Sequence, residues 1–455
     1  MGNVTINGTD TKFIGNSAIV GGGAIYSYIG NVIINGTDTK FRGNSANGGG
    51  AIYNYVGSLC ISGFNTSFIN NNATSFGGAI YVDTSSSLIA SLCISGVNTI
   101  FRCNAAGSGG AIYSNNGNVT INGNDTKFIS NSANSNAKGT GGAIYTRNKG
   151  SLCISGVNTS FIDNHANNSN NSFGGAICTD SDIMCISGVN TSFTGNRACY
   201  GGAIYVSGDN YTIEGVIFIN NNASYDVYAG ERGGGAIYIA GNYTTLKSCT
   251  FINNTASGLG IETSYHGTDG GSAVLVSGNN NTIDSCIFIN NTVFSADGSY
   301  SGEEGGAVFI YANYTTLKNC TFNNNDAPCA GAVFVCGNYT IIEWCNFTNN
   351  VAVGNGTFDG GGAIYLYIST DDTGLSNCTI INCNFINNYV NGSTNSYGTK
   401  TDGGAIYSNM DYVTISYSYF EGNFAQKDGS ISMHNSDMEE LYWNIPVGCP
   451  VTILP

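Results

Sequence analysis

Fourteen times along this chain a Phe is followed three residues later by an Asn, and thirteen times that pair is answered by a variant of Gly-Gly-Ala-Ile-Tyr. The Phe column runs Phe13, Phe41, Phe68, Phe101, Phe128, Phe161, Phe193, Phe218, Phe251, Phe288, Phe322, Phe347, Phe385 and Phe420, with Asn partners from Asn16 to Asn423. Repetition at this period marks a stacked array, in which no single unit can bury its own apolar face. From the Ala of one Gly-Gly-Ala to the next Phe is 15 to 18 residues in eleven cases and 22 in the other two. From the Phe to the following Ala the distance ranges from 10 to 22 residues. Length variation therefore collects at one corner, just after the Asn, as expected of loops projecting from one edge of a solenoid.

Three short strands are expected in each repeat. Residues 3–8 alternate, with Val4 and Ile6 on one side. Thr11-Lys12-Phe13 continues on the parity of Phe13, and Ala-Ile-Tyr forms the third, bounded by glycines that permit positive φ. Helical periodicity is absent from the repeats, and Asn and Gly turns punctuate them. The expected fold is all-β: a parallel β-helix of about 14 coils over residues 1–432, with 433–455 as a capping tail. At ~4.8 Å per coil the rod would be roughly 65 Å long. The opening Met1-Gly2-Asn3-Val4 is already inside a coil and shows no leader pattern, which implies a fragment or a true start upstream.

Period-2 logic assigns the faces. The Ile of Gly-Gly-Ala-Ile (Ile25, Ile52, Ile80 and so on to Ile406, with Val in three copies) faces inward. The next residue, Tyr or Phe in eleven of thirteen copies, faces out, with Asp83, Asn115, Asn148, Asp180 and Ser207 close behind it. Such an aromatic column either stacks between coils, at ~0.5–1.5 kcal/mol per pair beyond area burial, or offers a binding face. Phe218, Phe251 and Phe288 belong to an inward stack. Asn221, Asn254 and Asn291 belong to a ladder of identical amides, which is structural and carries no chemistry. Two residues before the Phe, Thr11 to Thr191 in the early copies give way to Cys249, Cys286, Cys320, Cys345 and Cys383, a buried stack of small hydrophobes. Cys60/Cys93 and Cys153/Cys185 fall on the outer parity of adjacent coils, where in-register strands seldom offer disulfide geometry.

Composition narrows the partners. Only 9% of residues are charged, the net charge is −15, and the 14 Lys and Arg are scattered without a basic stripe, which excludes nucleic acid. The longest apolar runs are a handful of residues, so no helix spans a bilayer. No Cys-x-x-Cys occurs and Cys329/Cys336 lack zinc-ribbon spacing, so neither metal nor cofactor is implied. Asn-x-Ser/Thr sequons recur, among them Asn7, Asn65, Asn158, Asn242, Asn313 and Asn338, and would be glycan acceptors only in an exported chain.

Phe-x-x-Asn alternating with Gly-Gly-Ala-[Ile/Leu/Val] resembles the repeats of chlamydial polymorphic outer membrane proteins. It is also similar to the adhesin-like surface proteins of methanogenic archaea, whose Asn-rich, Pro-poor style this chain shares. The resemblance covers residues 1 to about 432. It implies a right-handed β-helical passenger at the cell surface or cell wall, engaged in adhesion to host or neighbouring cells through glycans or proteins. No C-terminal membrane barrel is present in this sequence, which favours the archaeal type.

The competing class is a polysaccharide lyase or glycoside hydrolase on a pectate-lyase-like β-helix, which needs clustered carboxylates or a calcium site with a basic partner. Asp371-Asp372, Glu262, Asp269, Glu303, Glu304 and His266 are candidates, but they fall in variable loops, and His165 and His434 read as solvated loop residues. No catalytic set is assigned, and the chain is read as a non-enzyme. Binding is instead expected on the loop edge formed by 222–233, 255–269 and 292–304. It gathers Asp226, Glu231, Glu262, Tyr265, Asp269, Asp297, Tyr300, Glu303 and Glu304.

Overall fold

The computed structural model describes residues 2–84, 90–135, 138–167, 171–224, 232–258, 269–295, 305–353, 360–367, 377–391, 403–425 and 430–433. Every described element is a β-strand, and the strands pair in parallel to build a β-helix. The chain forms two compact units, Met1–Val227 with Gly235–Gly241, and Tyr228–Gly234 with Asn242–Pro455.

In the first unit eight coils stack in register. Val32–Ile34, Ser58–Ile61 and Ala90–Ile94 pair side by side on one face, with Ile34, Ile61 and Ile94 in line. The Phe strands form the next face, with Phe13, Phe41, Phe68, Phe101, Phe128, Phe161, Phe193 and Phe218 in successive registers. The Ile-Tyr strands, such as Ile80–Asp83 and Ile112–Asn115, form another. The second unit repeats the scheme in six coils, from Thr250–Ile252 to Tyr419–Glu421 on the Phe face.

The expectation of three strands per coil needs correction: there are four. Directly after the ladder Asn a strand of two to five residues forms, among them Ser45–Gly48, Asn72–Phe76, Ser132–Asn134 and Thr292–Ser295. Its inward position is nearly always Ala (Ala46, Ala73, Ala106, Ala133, Ala166, Ala198 and Ala223 in the first unit), and all of these are buried. A side chain this small lets the fourth face close against the others where Phe would not fit.

Two columns fix the core. From Phe13 to Phe218 neighbouring rings lie 4.5–5.1 Å apart with interplanar angles of 1–13°. From Phe251 to Phe420 they lie 4.6–4.9 Å apart at 3–6°. Beside them runs the amide ladder. Asn131 shows its logic: Nδ2 donates to Asn164 Oδ1 at 2.9 Å and to the Phe101 carbonyl at 3.0 Å. Its Oδ1 accepts from the backbone N–H and Nδ2 of Asn104, both at 3.0 Å. The residue before each Asn is left-handed, as at Ser130 (φ 51) and Asp163 (φ 51), which turns the chain and aims the amide along the axis. Asn254, Asn291, Asn325, Asn350, Asn388 and Asn423 continue the pattern in the second unit at 2.9–3.0 Å.

The Gly-Gly pair has a steric cause. Gly49 is left-handed (φ +64), and a Cβ on Gly50 would lie 2.1 Å from the Gly78 carbonyl oxygen of the next coil. Cys249, Cys286, Cys320, Cys345 and Cys383 are fully buried, and each thiol donates to the carbonyl two residues before it at 3.2–3.3 Å. The equivalent hydroxyls of Thr39, Thr66, Thr99 and Thr191 are buried without a partner. A thiol, a weaker donor, avoids most of that desolvation cost. Cys60/Cys93 and Cys153/Cys185 are register partners, and all four are free thiols.

Phe218 is fully buried while Ile219 is partly exposed. Phe218→Ala should therefore cost about 3–5 kcal/mol in a denaturant titration, and Ile219→Ala much less; equal losses would contradict the assigned faces. On the ladder, Asn131→Ala strands several buried groups at ~1–3 kcal/mol each. Asn158→Gly lies on an exposed outer corner where Asn158 is left-handed (φ 58), its side chain bonds only to the Asp125 and Asn190 side chains, and its backbone N–H bond to the Val189 carbonyl survives the change, so it should change stability by less than about 0.5 kcal/mol.

Candidate binding surface

Of the expected loop-edge residues, Asp226, Glu231, Glu262, Tyr265, Asp297, Tyr300, Glu303 and Glu304 lie outside the described residues. So do His266, Asp371, Asp372 and His434. Asp269 is placed at the start of Asp269–Gly270, a strand paired in register with Arg232–Gly233. His165 is not a solvated loop residue: it sits on His165–Asn167, half-buried and beside Arg197 on the next strand. Burial and then the Arg197 charge hold its imidazole below the usual pKa, opposed by a hydrogen bond with the Asp163 backbone.

The outward aromatic column exists, but it is no open face. Tyr53 and Tyr81 stack at 4.5 Å and 5°, while Tyr81–Tyr113 and Tyr113–Tyr145 meet edge-on at 5.2 and 5.3 Å. The segment just ahead of the Gly-Gly pair folds over it. Phe76 lies 4.6 Å from the Tyr113 ring and Phe173 lies 4.8 Å from Tyr205. At Gly48 only the missing side chain makes room, since a Cβ would sit 2.8 Å from the Tyr81 ring. In the second unit the column becomes Phe309, Phe334 and Tyr365, all buried. The column is thus a second apolar layer outside the coil, and burial raises the phenols of Tyr53, Tyr81, Tyr113 and Tyr145.

Beyond this layer a polar ribbon crosses four coils of the first unit. Asp83 Oδ2 accepts from Tyr81 Oη at 2.9 Å and its Oδ1 from Asn115 Nδ2 at 2.8 Å. Asn115 Oδ1 accepts from Asn148 Nδ2 at 2.7 Å, and the Asn148 backbone N–H donates to Asp180 Oδ1 at 3.2 Å. Asp83 is committed through both oxygens, so the ribbon is a hydrogen-bonding surface and not an acid–base pair. Among the described residues no group of three or more His, Cys, Asp and Glu comes together as a metal site.

In the second unit the fourth strands border an open groove of about 590 Å³, lined by Asn324, Asp326, Asn349, Val351, Asn387, Tyr389, Gly422 and Phe424. Burial alone raises the Asp326 carboxyl to about 6. A carboxyl titrating higher folded than unfolded (~3.9) stabilises fully below pH ~3.9, and that contribution is lost as pH rises through about 6. Asp326→Asn should therefore be more stable than the parent chain at pH 7.5 and close to it at pH 4, as read by denaturant titration at both values.

The Chlamydia polymorphic membrane protein repeat matches at residues 10–28, 38–55, 65–83 and 190–207, so the chain carries repeats of that type. Each match takes in the Phe, the ladder Asn and the following Ile-Tyr strand. No curated protein matches the sequence. Among solved structures, an alpha-1,3-glucanase catalytic domain solved with tetrasaccharides aligns at 12% identity and TM-score 0.27, over 95% of this chain. The chain spans 64% of that domain's length. An alginate lyase complex aligns at 12% identity and TM-score 0.22, over 93% of this chain and 88% of its own. Neither likeness bears on activity.

Proposed function

We propose that this chain is the displayed rod of an adhesin-like surface protein, located outside the cell or in its wall, which attaches to neighbouring or host cells through their glycans or proteins and does no chemistry on them. The repeat match carries the reading, because that repeat type is the one of the Chlamydia polymorphic membrane proteins. The chemistry of the outer face supports it. Asn, Ser, Thr and Tyr do the solvating that charge does on most soluble proteins, with only 9% of residues charged. Hydroxyls and amides fixed on a rigid sheet match the hydrogen-bonding character of a glycan coat, whereas a net charge of −15 opposes polyanions.

Beads coated with the chain should be retained on cells and on immobilised neutral glycans, and soluble chain should compete them off. Reducing-end and unsaturated-product assays on pectin, alginate and glucans should stay at background with and without calcium. Turnover that Asp371→Ala with Asp372→Ala abolishes would replace this reading by the lyase or hydrolase one.

A further inference from the structure

One corner of the second unit holds bulky aromatics in a backbone conformation that disfavours them. Tyr243 (φ 55), Tyr314 (φ 57) and Tyr339 (φ 57) are left-handed, as is Asn280 (φ 58) at the same register position. The four sit two residues before Thr245, Thr282, Thr316 and Ile341, which are successive partners on one face. Asn suits that conformation and Tyr does not, at a cost of about 1 kcal/mol or more per residue. The rings recover little of this by burial, being 57%, 53% and 47% exposed at Tyr243, Tyr314 and Tyr339. Strain combined with exposure, kept in three of four coils, is the pattern of a surface selected for contact.

The corner is also rigid. The backbone N–H groups of Tyr243, Asn280 and Tyr314 donate to the carbonyls of Asn279, Asn313 and Asn338 at 3.1, 3.0 and 2.9 Å. Behind them Asn242, Asn279 and Asn313 each accept, through Oδ1, the backbone N–H of the next coil at 2.7–2.8 Å. Tyr314 and Tyr339 stack at 4.8 Å and 4°, so the natural spacing of the column holds one ring per coil. At Asn280 the ring is missing. Tyr243 and Tyr314 are then two coils apart, roughly 9.6 Å, with room for one ring between them at the 4.8 Å spacing of the Tyr314–Tyr339 pair. The exposed Asn280 amide at its floor makes no side-chain hydrogen bond among the described residues, nor do the Nδ2 groups of Asn279 and Asn313.

We propose that the gap at Asn280 is a sandwich site for one pyranose ring of a neutral glycan, held between the Tyr243 and Tyr314 rings and hydrogen-bonded by the Asn279 and Asn280 amides. This rests on the glycan-attachment reading above and names its contact. Ring C–H groups face the two aromatic planes, while equatorial hydroxyls reach the amides. An aromatic side chain would leave those amide donors unused. A nucleobase would bring phosphates against an acidic chain, with a net charge of −15.

Binding of hexasaccharides (maltohexaose, cellohexaose, a β-1,3-glucan hexamer) to the full chain, measured by calorimetry and saturation-transfer NMR, tests the site. Tyr243→Asn and Tyr314→Asn place at those corners the residue that already folds at 280, so both should fold normally and weaken binding by about tenfold or more. Asn280→Tyr should complete the stack and abolish binding, whereas Tyr339→Asn should leave it intact. Binding unchanged in Asn280→Tyr overturns the slot while glycan attachment stands. If no hexasaccharide binds the parent chain, both the slot and the glycan reading fall. A Trp-containing peptide showing the same mutational pattern where sugars show none overturns the pyranose assignment.

Discussion

Everything in this fold follows from one amide that can bond to its own copy. An Asn stacked on an Asn in the next coil satisfies both Nδ2 hydrogens and both Oδ1 lone pairs, as Asn131 does with Asn104, Asn164 and Phe101. No other side chain of that size presents donor and acceptor in the plane a parallel stack requires. Because the ladder locks coil on coil at one register, the Phe rings beside it have no freedom but to stack in parallel. Insertions are then admissible only where they do not shift the ladder, which is why length varies between the Asn and the Gly-Gly pair.

A fixed register makes identical residues in successive coils neighbours, so composition is decided column by column. A hydroxyl column in the core leaves Thr39, Thr66, Thr99 and Thr191 without partners. The second unit answers the same position with thiols that bond weakly to their own strand. On the outer parity the Tyr column acquires a lid, because the segment ahead of the Gly-Gly pair lies across it and presents a ring, as at Phe76 and Phe173, a small hydroxyl side chain, as at Ser108 and Thr140, or no side chain at all, as at Gly48. Burial of these phenols thus comes from the corner and not from the strand that carries them.

The columns that repeat a distinctive residue were legible in the sequence: Phe, Asn, and the β-branched Ile told inside from outside by period 2 alone. The fourth strand was not, because two to five residues are too few to show alternation. Its trace is a single Ala two residues after the Asn, at Ala46, Ala73, Ala106 and Ala133. The covering of the Tyr column escaped for a different reason. It depends on a segment that is far from the strand in alternation but adjacent in space, and glycines leave no apolar signal. His165 looked like a loop residue because a strand as short as His165–Asn167 follows directly on a turn. For the acidic loop edge, only the strand position of Asp269 can be set beside the expectation.

The left-handed tyrosines could not have been found by residue type, since Tyr is a poor marker of positive φ, and Asn at the same corner is an ordinary turn residue. Only the backbone shows that Tyr243, Asn280, Tyr314 and Tyr339 occupy one conformation. Solenoids separate the two requirements that most folds entangle. Stability resides in the inner columns and depends on their uniformity, so departures from uniformity there are costly and rare. The outer corners face solvent and tolerate substitution, so a residue there that is both strained and exposed, such as Tyr243, is not explained by core packing. A break in a repeated column, such as Asn280 among tyrosines, is therefore the most informative position on such a surface: uniformity records what the rod needs, and the exception records what the rod meets.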